Sequence, residues 1–386
     1  RTRRGAARRR SRRRRGSWPS RRRSSRRSDS PSSRAGEASG DAAAELLVVY
    51  TSGTTGRPKG AVLAQPAMIA NAVMSHHAYA MTAEDVVLNL LPLFHVGGLN
   101  IQPLPALLLG AQIVIAPAFD PGETLACIDR RRITQVTLVP TVLGALLEHS
   151  GWDTAKLDSL RMIAIGSTDV PVPMIAAVHD RGVPVVQVYG ATETAPTAIY
   201  QTADIAFDTA GSIGRAGCAC EIRITGPDGT DLPDGEVGEI WVRGANILTR
   251  YWRDEAATAA AITDGWFHTG DMARIDGDGL YWFADRLKHV IISGGENIYP
   301  AELERVLADF DGLREFAIVG RDDARWGQVP VVVAARSGPS VTEDAVLAHF
   351  EDRIARFKRP KDVVFVEALP RNALGKIVTR NLRTLF

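Results

Sequence analysis

The chain has 386 residues, 45% of them apolar, which is enough to build the cores of two or more domains. Its formal net charge of +2 conceals two opposed regions: residues 1–34 hold sixteen Arg, no Lys and one acid, Asp29, for +15, so residues 35–386 carry −13. Every long apolar run is broken by Pro, Gly or charge, no apolar h-region follows the basic start, and Cys127, Cys218 and Cys220 lack zinc-type spacing. A bilayer-spanning helix, a secretory leader and a disulfide scaffold are therefore not expected, a reducing cytoplasm is, and the cysteines read as small buried apolar residues.

Residues 1–40 read as a disordered Arg/Ser-rich tail that cannot bury enough apolar surface to fold. Arginine bias without lysine is what GC-rich coding sequence read out of frame produces; a polyanion-binding arm is the alternative. Ordered structure is expected from Asp41. Strands are predicted over 46–50, 86–91, 112–116, 135–139, 161–165 and 184–189. Helices alternate with them over 66–80, 101–109, 121–132, 140–149 and 171–181, the pattern of parallel β/α layers. From about 211 short strands punctuated by Pro-Asp-Gly turns predict antiparallel hairpins or a small barrel. After "FADRLKHVIISGG" an α+β pattern follows: helices over 300–309 and 342–356, strands over 314–319, 329–335 and 362–366. The fold class is α/β, a large layered domain with a barrel-like region and a small α+β domain behind it.

Five stretches carry chemistry. "AELLVV" reads as a short buried strand entering "YTSGTTGRPKG", where glycines free backbone N–H groups, hydroxyls add donors and Lys59 adds charge, a loop suited to phosphate. It is not the usual nucleoside-triphosphate loop, because Gly53 and Gly56 are too close and Pro58 disfavours helix at Arg57. "LPLFHVGGLN" sets His95 at a strand end facing Gly97 and Gly98, a place to border a pocket. "VPVVQVYGATETAP" ends a strand in a turn with Thr192 and Glu193, a hydroxyl and a carboxylate suited to phosphate oxygen and Mg²⁺. Both this turn and the phosphate loop are expected outside the carboxyl ends of the parallel strands. In "GWFHTGDMARIDGDGLYWFADRLKHVIISGGEN", Asp271 can accept from ribose hydroxyls and Arg286 can pair with ribose or phosphate. "LPRNALGK" presents Lys376 on a Gly-Lys turn as a candidate active-site cation.

In order and style these stretches resemble the adenylate-forming acyl-CoA ligase superfamily, fatty-acyl and aryl-CoA synthetase type, from about residue 41 to the end. The resemblance implies a two-step reaction using ATP, Mg²⁺ and coenzyme A: a carboxylate forms an acyl-adenylate with release of pyrophosphate, and the thiol then displaces AMP. It implies domains at 41–284 and 289–386 about a hinge at 285–288. Thr51, Ser52, Gly53, Thr54, Thr55, Gly56 and Lys59 would hold the β/γ-phosphates, Thr192 the α-phosphate and Glu193 the metal. Tyr189 and Gly190 would sit by adenine with the Gly166, Ser167 and Thr168 backbone; Asp271 and Arg286 would bind ribose. Lys376 would bridge carboxylate and α-phosphate, Lys288 would be the hinge, Ser293, Gly294, Gly295 and Glu296 would meet coenzyme A, and His95 would line the acyl pocket.

Three departures stand out. "GSTDV" (Gly166 to Val170) replaces Gly-Gly-Ala-Pro and adds hydroxyls at 167 and 168, Ile292 stands where some relatives carry lysine, and only the tail precedes the phosphate loop, so a truncated larger domain with exposed apolar faces is expected. The substrate expected is a fatty or other apolar monoacid, since the pocket stretches are small and apolar with no cation for a second carboxylate. A hydroxycinnamate or other aryl acid is the alternative, as is an inactive fragment. No specific nucleic-acid partner and no membrane span are expected, and nothing in the sequence sets the oligomeric state.

Overall fold

The computed structural model describes residues 41–51, 58–168, 170–371 and 377–385. Its scaffold is a seven-stranded sheet. Five strands run parallel in the order Gln112–Ile115, Val86–Asn89, Gln135–Leu138, Met162–Gly166 and Val185–Tyr189; the short antiparallel strands Ile199–Tyr200 and Arg215–Ala216 extend it. Successive residues of a strand point to opposite faces. Leu88, Val136, Leu138, Ile163, Ile165 and Val185 accordingly enter one core, while Val87, Met162, Ala164, Val186 and Val188 enter another on the far side. Burial on both faces is why the inner strands are mostly apolar without a clean alternation of apolar and polar residues.

The helices between them start and stop on local chemistry. Pro121–Arg131 begins with Asp120 accepting from Glu123 N at 2.9 Å and ends where Arg132 turns left-handed at φ 52. The expected helix over 101–109 is two, Val96–Asn100 and Pro103–Leu109, because Pro103 and Pro105 open a new first turn. His95 therefore caps a helix rather than ending a strand.

The first expected strand needs the larger correction. Glu45–Thr51 is extended, but it pairs antiparallel with Lys59–Ala64, which pairs with Arg250–Tyr251 in a separate three-stranded sheet. Only one face is covered: Val49 joins a core with Leu63 and Phe267, while Leu46, Val48 and Tyr50 are exposed. The phosphate-loop stretch thus connects a hairpin and does not leave the carboxyl edge of the parallel sheet. Its residues 52–57 lie outside the described residues.

The antiparallel reading beyond 211 holds. Cys220–Thr225, Gly238–Gly244, Trp266–Ile275 and Ile262–Thr263 form a sheet in that order, with Tyr281–Arg286 also on Trp266–Ile275. Both Pro-Asp-Gly turns use their glycine at positive φ, 79° at Gly229 and 91° at Gly235. Of the cysteines, Cys127 is buried as expected, but Cys218 is exposed and Cys220 half-buried, since they enter this sheet from a turn in which Cys218 N donates to Tyr200 Oη at 3.2 Å.

In the C-terminal part the sheet order is Glu296–Ile298, Ile291–Ser293, Gly327–Arg336, Leu313–Asp323, with Asp362–Phe365 parallel to Gly327–Arg336. Helix Pro300–Leu307 lays Leu303 and Leu307 on Ile291, Ile318 and Val332, with Phe350 fully buried among them. The helix expected over 342–356 stops as Glu343–Ala348, because the chain turns through left-handed Asp352 (φ 60) before a 3₁₀ turn at Arg356–Lys358. Among the described residues no helix is long and apolar enough to cross a membrane.

Candidate active site

Two neighbouring parallel strands end in glycine. A Cβ on Gly166 would overlap the Val188 carbonyl oxygen, and one on Gly190 would overlap that of Pro196, so backbone passes where a side chain would stand. Beyond Gly166, Ser167 takes φ 80, a costly conformation for a residue with a Cβ, and Thr168 is exposed. Beyond Gly190 the turn closes on itself: Thr194 Oγ1 accepts from Ala191 N at 2.9 Å and donates to Ala191 O at 3.1 Å. Thr192–Thr194 is a 3₁₀ turn that leaves Thr192 and Glu193 partly exposed and buries Thr194.

Glu193 is anchored at both ends. Its carbonyl accepts from Leu248 N at 2.7 Å, and its Oε1 accepts from Tyr251 Oη at 2.9 Å. Tyr251 belongs to the sheet that carries Lys59, whose Nζ lies 5.2 Å from the Tyr251 ring centroid. Thr51 and Lys59 face each other at the loop end of the hairpin, with Thr51 Oγ1 donating to Lys59 O at 3.4 Å. The carboxylate of the Thr-Glu turn and the lysine of the phosphate-loop stretch thus meet through one tyrosine that sequence reading missed.

A second group forms around Asp271. It is register partner to Arg286, whose Nε lies 3.1 Å from Asp271 Oδ1, and Tyr189 Oη donates to Oδ2 at 2.9 Å. Burial first, then the neighbouring Asp271 charge, holds the Tyr189 hydroxyl well above the ordinary range, so it stays a donor. Strand end and hairpin are in this way joined by a charge-assisted chain across Tyr189, Asp271 and Arg286.

The segment after Arg286 leads into the C-terminal part. Asp285, buried, accepts from Arg286 N at 2.6 Å and from Ala301 N at 2.7 Å, so it caps helix Pro300–Leu307 from the far side of the turn. Lys288 lies in the 3₁₀ turn Leu287–His289; partial desolvation and then the Arg286 charge draw its ammonium below the usual lysine range, against Asp271. His289 reaches both ways, with Nδ1 3.5 Å from Asp285 Oδ1 and Nε2 3.3 Å from Thr379 Oγ1. Ser293 to Glu296 is a two-residue hairpin turning on Gly294 (φ 61) and Gly295 (φ 89), with Gly294 N donating to Trp326 O at 2.8 Å. Lys376 lies outside the described residues, but its flanks are pinned: Arg371 bridges Ile377, Val378 N donates to Pro370 O at 2.8 Å, and Glu315 accepts from Leu369 N at 2.8 Å and Arg371 Nη2 at 2.6 Å.

His95 caps its helix by accepting from Gly97 N on Nδ1 at 3.0 Å, which places the ring proton on Nε2. The next helix residue of note is Asn100, which donates to Ala195 O at 3.2 Å and accepts on its own carbonyl from Asn71 Nδ2 at 2.7 Å. This buried pair ties the His95 helix to the Thr192–Glu193 turn. Asn100 carried no sequence signal, since an Asn inside a helix reads as an exposed or capping residue.

Comparisons with known proteins give the family. The AMP-binding enzyme profile matches residues 11–252, and the profile of the AMP-binding enzyme C-terminal domain matches 302–376. Indoleacetate–CoA ligase of Aromatoleum aromaticum is 51% identical over 88% of this chain and 67% of its own length. Feruloyl-CoA synthase of an Amycolatopsis species is 41% identical over 88% of this chain and 70% of its own. The o-succinylbenzoate coenzyme A synthetase of Bacillus subtilis, solved with ATP and magnesium ion, superposes with TM-score 0.82 at 34% identity, covering 89% of this chain and 70% of that one. The chain belongs to the AMP-binding enzymes. Its enzymatic class is that of ATP-dependent, AMP-forming acid–thiol ligases, which use ATP, Mg²⁺ and coenzyme A.

The residues fit those groups. The two glycines let the strand ends pack directly on the Val188 and Pro196 carbonyls, which holds the Ser167–Thr168 and Thr192–Glu193 turns in place. Among the described residues no cluster of three or more His, Cys, Asp or Glu could hold a metal alone. One oriented carboxylate suits a cation that takes its other ligands from phosphate oxygens and water.

Proposed function

We propose that this chain activates an aromatic monocarboxylic acid with ATP and transfers the acyl group to coenzyme A. The observation that carries the substrate class is the 51% identity to an indoleacetate–CoA ligase across 88% of this chain, with a feruloyl-CoA synthase next at 41%. In the first step a carboxylate oxygen attacks the α-phosphorus and the bond to pyrophosphate breaks. In the second the thiol sulfur attacks the acyl carbon and AMP leaves with the bridging oxygen.

Each residue's part is carried over from the family motif it matches. The Thr51–Lys59 connection, including Ser52, Gly53, Thr54, Thr55 and Gly56, binds the β/γ-phosphates, and Thr192 touches the α-phosphate. Glu193 holds Mg²⁺, which when bound neutralises phosphate charge. Asp271 accepts from the ribose hydroxyls, oriented by Tyr189 and Arg286, while adenine lies between Tyr189 and the Gly166–Thr168 backbone beside Gly190. His95 borders the acyl pocket. Lys376 bridges the acid carboxylate and α-phosphate, placing positive charge where negative charge develops. Rotation about 285–288, between domains 41–284 and 289–386, then withdraws Lys376 and brings Ser293, Gly294, Gly295 and Glu296 to coenzyme A, with Lys288 absorbing the backbone change.

The test is AMP release by the purified chain with Mg-ATP and coenzyme A, across indole-3-acetate, ferulate, octanoate and palmitate. Turnover of an aromatic acid above both aliphatic acids is expected. Octanoate or palmitate outrunning both aromatic acids overturns the substrate class.

A further inference from the structure

The geometry points to Tyr251 as a positioning residue for the metal-binding carboxylate, and to its ring as the element that registers the phosphate-loop lysine against that carboxylate. The inference rests on the reading that Glu193 takes Mg²⁺. Tyr251 Oη donates to Glu193 Oε1 at 2.9 Å, which fixes the carboxylate plane and the direction of Oε2. A free glutamate side chain has three rotatable bonds to order before it can ligate; a donor already seated on one oxygen removes that freedom.

Tyr251 is itself held from several sides. Its backbone is paired with Ala61, its N donates to Thr258 Oγ1 at 2.9 Å, and its O accepts from Asp254 N at 3.2 Å. The ring is buried in the core with Leu63, Phe267 and Val49. Lys59 Nζ sits 5.2 Å from the ring centroid on the same sheet. A cation that binds phosphate and a carboxylate that binds metal thus share one rigid aromatic body, although 134 positions separate Lys59 and Glu193 in the chain.

The test is Tyr251→Phe, which keeps the ring, its core contacts and the Lys59 contact and removes only the donor. Mn²⁺ is titrated in the presence of ATP and bound Mn²⁺ is read by electron paramagnetic resonance, with Glu193→Gln alongside. In parallel, the Mg²⁺ concentration giving half-maximal adenylation is measured. Loss of such an outer hydrogen bond weakens metal affinity by about 10-fold or more, so Mn²⁺ should bind about 10-fold more weakly in Tyr251→Phe, and raised Mg²⁺ should restore the wild-type rate. Metal binding unchanged in Tyr251→Phe but lost in Glu193→Gln overturns the role of Tyr251 and leaves Glu193 in place. Metal binding unchanged in Glu193→Gln overturns the metal site and this inference with it. A Tyr251→Phe rate that stays low at every Mg²⁺ concentration, with Mn²⁺ binding intact, also overturns it.

Discussion

Gly190→Ala strikes the turn on which Thr192 and Glu193 stand. A Cβ at residue 190 would overlap the Pro196 carbonyl oxygen and lie 2.6 Å from the Pro196 carbonyl carbon and 2.7 Å from Thr194 Oγ1. Ordinary van der Waals contact begins at 3.4 Å, so at the Pro196 carbonyl oxygen the turn must give way by well over 1 Å. Neither side yields cheaply: the first neighbour is backbone, and the second holds Ala191 N at 2.9 Å. Overpacking of this kind costs about 1–3 kcal/mol of stability. Misplacing a reacting group by about 1 Å costs on the order of 100-fold in rate. The assay pairs urea unfolding, followed by tryptophan fluorescence, with acid-dependent AMP release. Gly277→Ala is the control, because nothing lies within 4 Å of its Cβ position and its φ is ordinary. A Gly190→Ala protein that matches Gly277→Ala in both assays would refute the close packing argued for this turn.

Two further perturbations address other parts of the site. Asp271→Asn removes the charge on which Tyr189 and Arg286 converge; hydrogen bonds to a charged group are worth about 1.5–3 kcal/mol, so KM for ATP should rise about 10-fold or more while the circular-dichroism spectrum is retained. Unchanged KM would separate this group from nucleotide binding. Glu315 anchors the flank of the Lys376 loop: burial pushes its carboxyl up, but the Leu369 N–H and Arg371 outweigh it and hold the carboxyl below the ordinary 4.5. A lowered carboxylate pKa contributes stability that is present above the unfolded value of 4.5 and is lost as pH falls through the folded value. Glu315→Gln should therefore be less stable than wild type at pH 7, with the gap closing as the pH drops below 4.5; a gap independent of pH contradicts the assignment.

Much of the central sheet was legible because its strands are short apolar runs punctuated by proline-started helices, signals local to ten or fifteen residues. Asp271 and Arg286 were legible as chemistry, and their pairing across a hairpin follows from the Asp-Gly-Asp-Gly turn between them. The placement of Glu45–Thr51 was not. Leu46 to Tyr50 are all apolar, so the alternation that distinguishes a half-exposed strand from a buried one is invisible, and the choice of partner is non-local. Tyr251 escaped for a similar reason: "RYW" reads as ordinary strand, and only folding brings it to Glu193. The C-terminal helix was overextended because Asp352, an exposed acid inside the expected helical stretch, takes a left-handed conformation that carries the chain out of the helix.

The most direct measurement of the central claim is exchange of labelled pyrophosphate into ATP, with Mg²⁺ and an aromatic acid and without coenzyme A. The account predicts exchange that requires the acid, proceeds without the thiol and disappears in Lys376→Ala. Acyl-CoA formation accompanied by ADP and phosphate, or acyl-CoA formed with no acid-dependent exchange, would contradict it.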